Sequence, residues 1–247
     1  MVHGLVPAPG IVPYIDDVEA LNARAESGEA EVTKISLAAY GLIRERYALL
    51  RAGGAAGYGV GPIVVGRTAG PVAGRVAIPG VRTTAALLLN LLGTFTTVPM
   101  RFDRIEDAVL RGEVDCGVLI HEGRFTYQAK GLTLLTDLGA IWEERMKCAL
   151  PLGAIAIRRD LAGTYGAAFD RSLRSSVEYA FAHPDASRDY VASLAQEMDP
   201  SVMADHIRLY VNDYTLALDQ RAVLTLLEFG QDHGINAAGS ASLPVFI

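Results

Sequence analysis

A histidine, a carboxylate and a guanidinium follow directly on an apolar run near the middle of the chain. Residues 118–128 read V-L-I-H-E-G-R-F-T-Y-Q, which places His121, Glu122 and Arg124 just after three apolar residues. Such groups are costly to bury without partners and are well tolerated where a strand opens onto a cleft. A neutral imidazole accepts a proton near pH 7, so His121 is the candidate general base. A histidine hydrogen-bonded within the fold is the alternative, and the spacing leaves both open.

A second polar group ends another short apolar segment. Residues 31–36 read E-V-T-K-I-S and predict a strand that carries Lys34 and Ser36 near its carboxyl end. Because their spacing is two, both side chains lie on one face of that strand. Lys34 can hold a carboxylate, or it is a solvated charge at a strand end.

A third candidate is a turn between a strand and a helix. Residues 79–85 read P-G-V-R-T-T-A, so a glycine turn leads to Thr83 and Thr84 at a predicted helix start. Free N–H groups and the helix dipole suit an anion or a carbonyl oxygen at this place. An ordinary helix cap by a threonine is the alternative.

These three groups depend on strands that alternate with helices. Short apolar segments at 31–36, 63–67, 76–80, 113–120 and 151–159 are separated by helical patterns. The alternation predicts an α/β protein with parallel sheets, in which ligands bind beyond the carboxyl ends of strands. We expect two lobes, one formed by residues 1–74 and 158–247 and the other by 75–157, that face each other across one cleft. Predicted helices at 165–182, 186–196, 200–212 and 221–233 form a C-terminal layer.

Composition excludes several classes of protein. The 247 residues are 51% hydrophobic and 20% charged with a net charge of -6, which favours a folded core and argues against a nucleic-acid partner. Two cysteines without metal-ligand spacing are typical of a reducing compartment. No signal peptide is evident, and no apolar window is long enough to span a bilayer. We therefore expect a cytoplasmic location and no membrane partner.

Several blocks of the chain resemble one known family. They are R-G-E-V-D, H-E-G-R-F-T-Y, V-T-K-I-S, I-P-G-V-R-T-T-A and H-I-R-L-Y-V-N-D-Y-T-L, and the resemblance extends over nearly the whole chain. These blocks are similar to those of the 1,4-dihydroxy-6-naphthoate synthase family, which acts in the futalosine route to menaquinone. The block that contains His121 is the most specific of them.

The resemblance implies a fold, a reaction and a set of site residues. The fold is two-lobed, like that of type II periplasmic binding proteins, with a helical C-terminal layer. The reaction is a carbon–carbon lyase step without cofactor or metal, in which a small carboxylate, cyclic dehypoxanthinyl futalosine, gives 1,4-dihydroxy-6-naphthoate. His121 matches the catalytic base. The substrate-binding candidates are Lys34, Ile35, Ser36, Thr83, Thr84 and Arg124.

One departure and two other functions accompany this interpretation. Family members begin with a strand and the loop S-P-C-P-N-D-T-F before a helix that ends in V-H-G, whereas here V-H-G stands at residues 2–4. We therefore expect either a misassigned start or a form that is short at its N-terminus. A non-catalytic solute-binding protein and a chorismate dehydratase-like enzyme share the implied fold, and both are alternatives.

Overall fold

The computed structural model describes residues 1, 4–7, 10–194, 199–235 and 244–247. Its strands are β1 Val32–Ser36, β2 Tyr47–Leu49, β3 Ala55–Gly57, β4 Ile63–Gly66, β5 Arg75–Ile78, β6 Thr96–Pro99, β7 Cys116–Leu119, β8 Thr133–Asp137 and β9 Leu150–Arg158. Its α-helices are α1 Val18–Ser27, α2 Leu37–Ile43, α3 Thr84–Leu88, α4 Ile105–Leu110, α5 Gly123–Thr126, α6 Leu138–Met146, α7 Arg159–Leu161, α8 Ala167–Ala182, α9 Arg188–Leu194, α10 Pro200–Tyr210, α11 Asp213–Leu216 and α12 Gln220–Asp232.

Local sequence signals explain where several helices begin and end. The Asp17 carboxylate accepts hydrogen bonds from two backbone N–H groups of α1, and Gly28 ends this helix with a positive φ of 82°. Asp199 caps α10 in the same way, and Pro200 occupies its first turn. The helix predicted at 186–196 lies partly outside the described residues. Within the described residues, α9 ends at Leu194.

The first sheet is built around the long strand β9. β1, β2 and β3 all pair with β9, and each pairing is antiparallel. The prediction of parallel sheets was therefore wrong for this sheet. Alternating helices and strands show that helices connect the strands, but they do not show in which direction a distant strand returns to pair.

The second sheet has the order β6-β5-β7-β4-β8. β5 pairs in parallel with β6 and β7, whereas β4 is antiparallel to β7 and β8. Val64 packs in one hydrophobic core cluster, while Ile63 and Val65 pack in a second one. Because β4 is covered on both faces, its sequence is continuously apolar instead of alternating.

Sheet membership differs from the predicted lobe boundaries. β4, at 63–66, belongs to the second sheet, and β9, at 150–158, belongs to the first. The predicted boundaries after residues 74 and 157 instead grouped β4 with the first lobe and nearly all of β9 with the second. Apolar strand patterns do not identify pairing partners, and the division into lobes stays a prediction.

The chain passes between the two sheets twice, and the two crossing segments touch through glycines. A methyl group at Gly61 would lie 2.2 Å from Cα of Gly139, and one at Gly139 would lie 2.6 Å from Cα of Gly61. Next to this contact, the Leu138 N–H donates to the Pro62 carbonyl at 3.0 Å. The two backbones therefore approach more closely than any side chain would allow.

We expect Gly61→Ala to destabilise the protein by about 3 kcal/mol, because overpacking against rigid backbone is among the more costly core changes. The measurement is the free energy of unfolding in urea. Gly70→Ala is the matched control, since nothing lies within 4 Å of a methyl group there. Equal stability of the two variants would contradict the described contact.

A helical layer follows β9 and covers the first sheet. The buried face of α12 includes Val223, Leu226 and Leu227, which join the larger core cluster. At the C-terminus, Phe246 forms a parallel bridge to Leu49 of β2. Within the described ranges, no helix combines the length and the apolar character that are needed to cross a membrane.

Candidate active site

A cavity of about 540 Å³ lies where elements of the two sheets meet. Its volume falls within the range of small-molecule sites, roughly 300–1,000 Å³. The first sheet contributes the end of β1 and part of β9, and the second contributes the residues that follow β6 and β7. The lining includes Asp17, Lys34, Ile35, Ser36, Thr83, Thr84, Phe102, Ile120, His121, Glu122, His206 and Tyr210.

The structure brings six of the seven predicted site residues to this cavity. Lys34, Ile35 and Ser36 come from β1, Thr83 and Thr84 from the start of α3, and His121 from the segment after β7. Arg124 is not among the lining residues. The imidazole of His121 and the carboxylate of Glu122 therefore do open onto a cleft, as residues 118–128 led us to expect.

The backbone of His121 turns sharply to present its ring. Its φ of 54° lies in the left-handed region, which is uncommon for residues other than glycine and often marks functional sites. The ring packs edge-on against Phe102, with 5.1 Å between the ring centres. No hydrogen bond fixes the ring among the described residues.

The environment of His121 keeps its ring uncharged. Desolvation, followed by the positive charge of Lys34 and by His206, lowers its pKa from 6.5 to about 3. A neutral imidazole is the form that accepts a proton. His121 thus has the protonation state that a general base needs over the physiological range of pH.

Lys34 combines an exposed side chain with a desolvated ammonium group. Its fractional exposure is that of a surface residue, yet the surrounding protein lowers its pKa through desolvation. Both observations follow from its place on a cavity wall, where solvent reaches the side chain and protein surrounds it. No carboxylate of the described part of the chain forms an ion pair with it. An ammonium group in this situation is a favourable partner for an anionic ligand.

The hydroxyl groups near Lys34 already have protein partners. Ser36 accepts a hydrogen bond from Asn22 Nδ2 at 3.1 Å. Thr84 donates to the Leu152 carbonyl at 2.7 Å. Thr83 caps α3 by accepting from Ala86 N–H at 3.1 Å, and its own hydroxyl donates to a carbonyl in the preceding turn. At Thr83, the ordinary helix cap that the sequence left as an alternative is what the structure shows.

Arg124 holds the crossing segments together rather than facing the cavity. Its guanidinium donates to the Gly61 carbonyl at 2.7 Å and to Asp137 Oδ2 at 2.6 Å. Both side chains of the ion pair are largely buried, with exposed fractions of 18% and 24%. The block that contains His121 therefore supplies a cavity residue and, three residues later, a link to the point where the chain crosses between sheets.

Sequence reasoning missed His206 and Tyr210. They lie on one face of α10, line the cavity and contact each other with ring centres 4.7 Å apart. Desolvation raises the pKa of Tyr210 to about 12 and lowers the pKa of His206. Their i, i+4 spacing is the signal that could have found them, because it places two polar aromatic residues on one face of a helix, where a purely structural role would favour apolar side chains.

The described residues contain no group of three or more histidine, cysteine, aspartate or glutamate side chains placed to hold a metal ion.

The acid limb of the pH profile provides a direct test of the His121 environment. Lys34, His206 and Glu122 also line the cavity beside this ring. Because its pKa is lowered to about 3, the ring stays deprotonated well below pH 6.5. We expect kcat/KM, which reports the free enzyme, to remain near its plateau at pH 5 and to fall only at lower pH. A half-maximal value near pH 6.5 would contradict this environment.

Stability must be followed in the same experiment. The unfolded chain binds a proton at His121 below about pH 6.5, and the folded chain does so only near pH 3, so this group makes stability decrease as the pH falls between these values. Activity after return to pH 7 distinguishes titration of His121 from loss of the fold.

Comparison with known proteins gives the following relatives. The family model described as "Menaquinone biosynthesis" matches residues 1–232. A protein of Thermus thermophilus named 1,4-dihydroxy-6-naphthoate synthase is 45% identical, and the match covers 100% of this chain and 93% of the relative. A protein of the same name from Streptomyces coelicolor is 43% identical, with coverages of 89% and 82%.

Solved structures agree on the fold. A crystal structure of a protein from Archaeoglobus fulgidus superposes with a TM-score of 0.90 at 41% identity and covers 95% of this chain and 91% of that one. The periplasmic aliphatic sulphonate-binding protein of Escherichia coli has a TM-score of 0.62 at 11% identity, with coverages of 88% and 74%. The predicted α/β architecture, like that of periplasmic binding proteins, is thereby confirmed.

Proposed function

We propose that this chain, which belongs to the menaquinone biosynthesis family, is a 1,4-dihydroxy-6-naphthoate synthase. It acts as a carbon–carbon lyase on cyclic dehypoxanthinyl futalosine and releases 1,4-dihydroxy-6-naphthoate and a sugar-derived fragment. The observation that carries this proposal is that one cavity is lined by a neutral imidazole and by an ammonium group that has no carboxylate partner in the described part of the chain. Two relatives named 1,4-dihydroxy-6-naphthoate synthase are 45% and 43% identical to this chain.

Lys34 binds the substrate carboxylate. An anion on the cavity wall offsets the desolvation of the ammonium group, which has no protein carboxylate beside it among the described residues. The Ile35 side chain is buried in the core and supports this wall from behind, and backbone groups of the Ser36 and Thr83 segments provide further contacts. Arg124 contributes indirectly, by holding the segments that connect the two sheets.

His121 acts as the general base. It takes a proton from the substrate, and the electron pair left behind forms a double bond as the carbon–carbon bond to the sugar-derived fragment breaks. The electron pair of the broken bond passes into the bicycle, which becomes aromatic, and His121 returns the proton to the product. Aromatisation supplies the driving force, so the protein needs to position the substrate, exclude water and accept one proton. The lowered pKa of His121 keeps this base ready at neutral pH.

The substrate is a small molecule, and we propose that the reaction takes place in the cytoplasm. The two cysteines, Cys116 and Cys148, are both free and buried, which agrees with a reducing compartment.

The test is to incubate the purified protein with cyclic dehypoxanthinyl futalosine and to follow 1,4-dihydroxy-6-naphthoate by chromatography. Product formed at a rate proportional to enzyme concentration supports the proposal. Binding of the substrate without turnover would favour a solute-binding protein, and dehydration of chorismate by the same sample would favour the sister enzyme. Either result would overturn the proposed function.

A further inference from the structure

The candidate base has no protein group that orients its ring. Histidines that act as bases are normally fixed by a hydrogen bond from the second ring nitrogen, which selects the tautomer and aims the first nitrogen at the substrate. For His121, no such bond exists among the described residues, and its ring contacts are with Phe102 and His206. The partner must come from the other wall of the cavity or from the substrate.

His206 is the group that faces His121 from the other wall. His121 follows β7 of the second sheet, while α10, which carries His206, packs on β3 of the first sheet. Just after α10, Asn212 Nδ2 donates to the Ala56 carbonyl of β3 at 2.9 Å and ties the helix to that sheet. The two imidazole centres are 6.0 Å apart, so they meet across the junction of the sheets.

The His206 ring is held in place but lacks a hydrogen bond. Tyr210 and Phe125 pack against it at 4.7 Å and 6.5 Å between ring centres. Nε2 of His206 is buried, and no group in the described part of the chain bonds to it. Desolvation lowers its pKa, although the nearby Glu122 carboxylate opposes the shift, so the ring is a neutral hydrogen-bonding group. A buried polar atom without a partner in a native fold calls for a functional explanation.

We propose, on the basis of the proposed function, that His206 is the positioning residue of His121 and accepts a hydrogen bond from its ring once the two sheets close on the substrate. A direct N–H···N bond between imidazoles needs ring centres about 1 Å closer than they stand here, which is a small closing movement. The other nitrogen of His121 then faces the substrate with its lone pair.

Proton accounting is simple in this arrangement. The substrate proton moves to the free nitrogen of His121, and the proton shared with His206 stays on His121. The positive charge rests on His121 and is stabilised by the lone pair of His206, much as a carboxylate stabilises the imidazolium in a catalytic triad. A neutral acceptor suits this cavity better than a carboxylate would, because the bound substrate is itself an anion.

In this arrangement, the ring of His121 is oriented by a hydrogen bond only in the closed form of the protein. Each sheet supplies one imidazole, so a ligand that does not draw the sheets together leaves His121 without an orienting bond. Closure therefore links substrate recognition to proton abstraction.

Kinetics of two variants provide the first test. His206→Phe keeps a ring against Phe125 and Tyr210 but removes the acceptor, and we expect kcat to fall roughly 10- to 100-fold with KM within about threefold. His206→Gln restores an acceptor oxygen, and we expect kcat within roughly tenfold of the wild type. A rise in KM at unchanged kcat, or equal kcat in both variants and the wild type, would overturn the proposal.

Histidine ¹⁵N NMR is a second test, and its first readout, on the wild-type protein, does not depend on how the variants fold. The probe is the product, 1,4-dihydroxy-6-naphthoate, added at saturation. We expect His121 to show one fixed tautomer with a hydrogen-bonded N–H in the complex. A mixture of tautomers in the saturated complex would overturn the proposal, as would a fixed tautomer that persists in His206→Phe.

The two proposals fail in different ways. If the proposed function is wrong, the wild-type protein does not convert cyclic dehypoxanthinyl futalosine. If only the role of His206 is wrong, wild-type turnover is intact and His206→Phe retains it.

Discussion

Replacing His121 by alanine lowers kcat roughly 1,000-fold, because a positioned general base contributes about 10²–10⁴ to the rate. We expect substrate affinity to change little, since the ring packs against Phe102 and the proposed function assigns the charge that attracts the substrate to Lys34. The measurement is single-turnover kinetics with cyclic dehypoxanthinyl futalosine, together with a binding isotherm for the product.

The matched control for this variant is His183→Ala. His183 is exposed at the end of α8, where its Nδ1 lies 3.0 Å from the Tyr179 carbonyl, and it does not line the cavity. We expect wild-type turnover from the control. Undiminished turnover in His121→Ala would remove this residue as the base, whereas a loss of binding together with turnover would point to a structural role.

The second large effect is expected for Lys34→Met, which keeps the length of the side chain and removes its charge. We expect KM to rise roughly 100-fold, because losing one partner of a desolvated charge pair costs about 2–5 kcal/mol. Lys147→Met is the matched control, since Lys147 is exposed at the end of α6 and away from the cavity. A KM within twofold of the wild type would show that another group holds the carboxylate.

The same variant has a predictable effect on the base. Lys34 is the second largest cause of the low pKa of His121, after desolvation. Removing its positive charge raises that pKa, so the acid limb of kcat/KM moves to higher pH. An unchanged limb in Lys34→Met would mean that Lys34 does not contribute to the low pKa of His121.

Six of the seven site residues predicted from the sequence line the cavity, because their positions follow local rules. His121 and Lys34 lie at or near the ends of short apolar strands, where chain polarity places them beside a cleft. The caps at Asp17, Thr83 and Asp199 could be predicted for the same reason, since a cap depends on only three or four neighbouring residues.

The features that were missed depend on distant parts of the chain. The pairing of β9 with β1 joins residues more than a hundred positions apart, and no apolar pattern identifies such a partner. Arg124 looked like a cavity residue because it lies three residues after His121, yet the short helix α5 turns it towards Gly61 and Asp137. His206 was missed because it meets the His121 ring only across the junction of the two sheets, which the sequence does not reveal.

The glycine contact between the crossing segments has a consequence for how this protein can vary. Gly61 and Gly139 compete for a single volume, too small for one methyl group. If the two segments move apart to accept alanine at one of these positions, they also make room for alanine at the other. The losses of stability caused by the two substitutions are therefore not additive. Whether this crossing accepts a larger residue thus depends on both positions together, and the double substitution destabilises the protein by less than the sum of the two single substitutions.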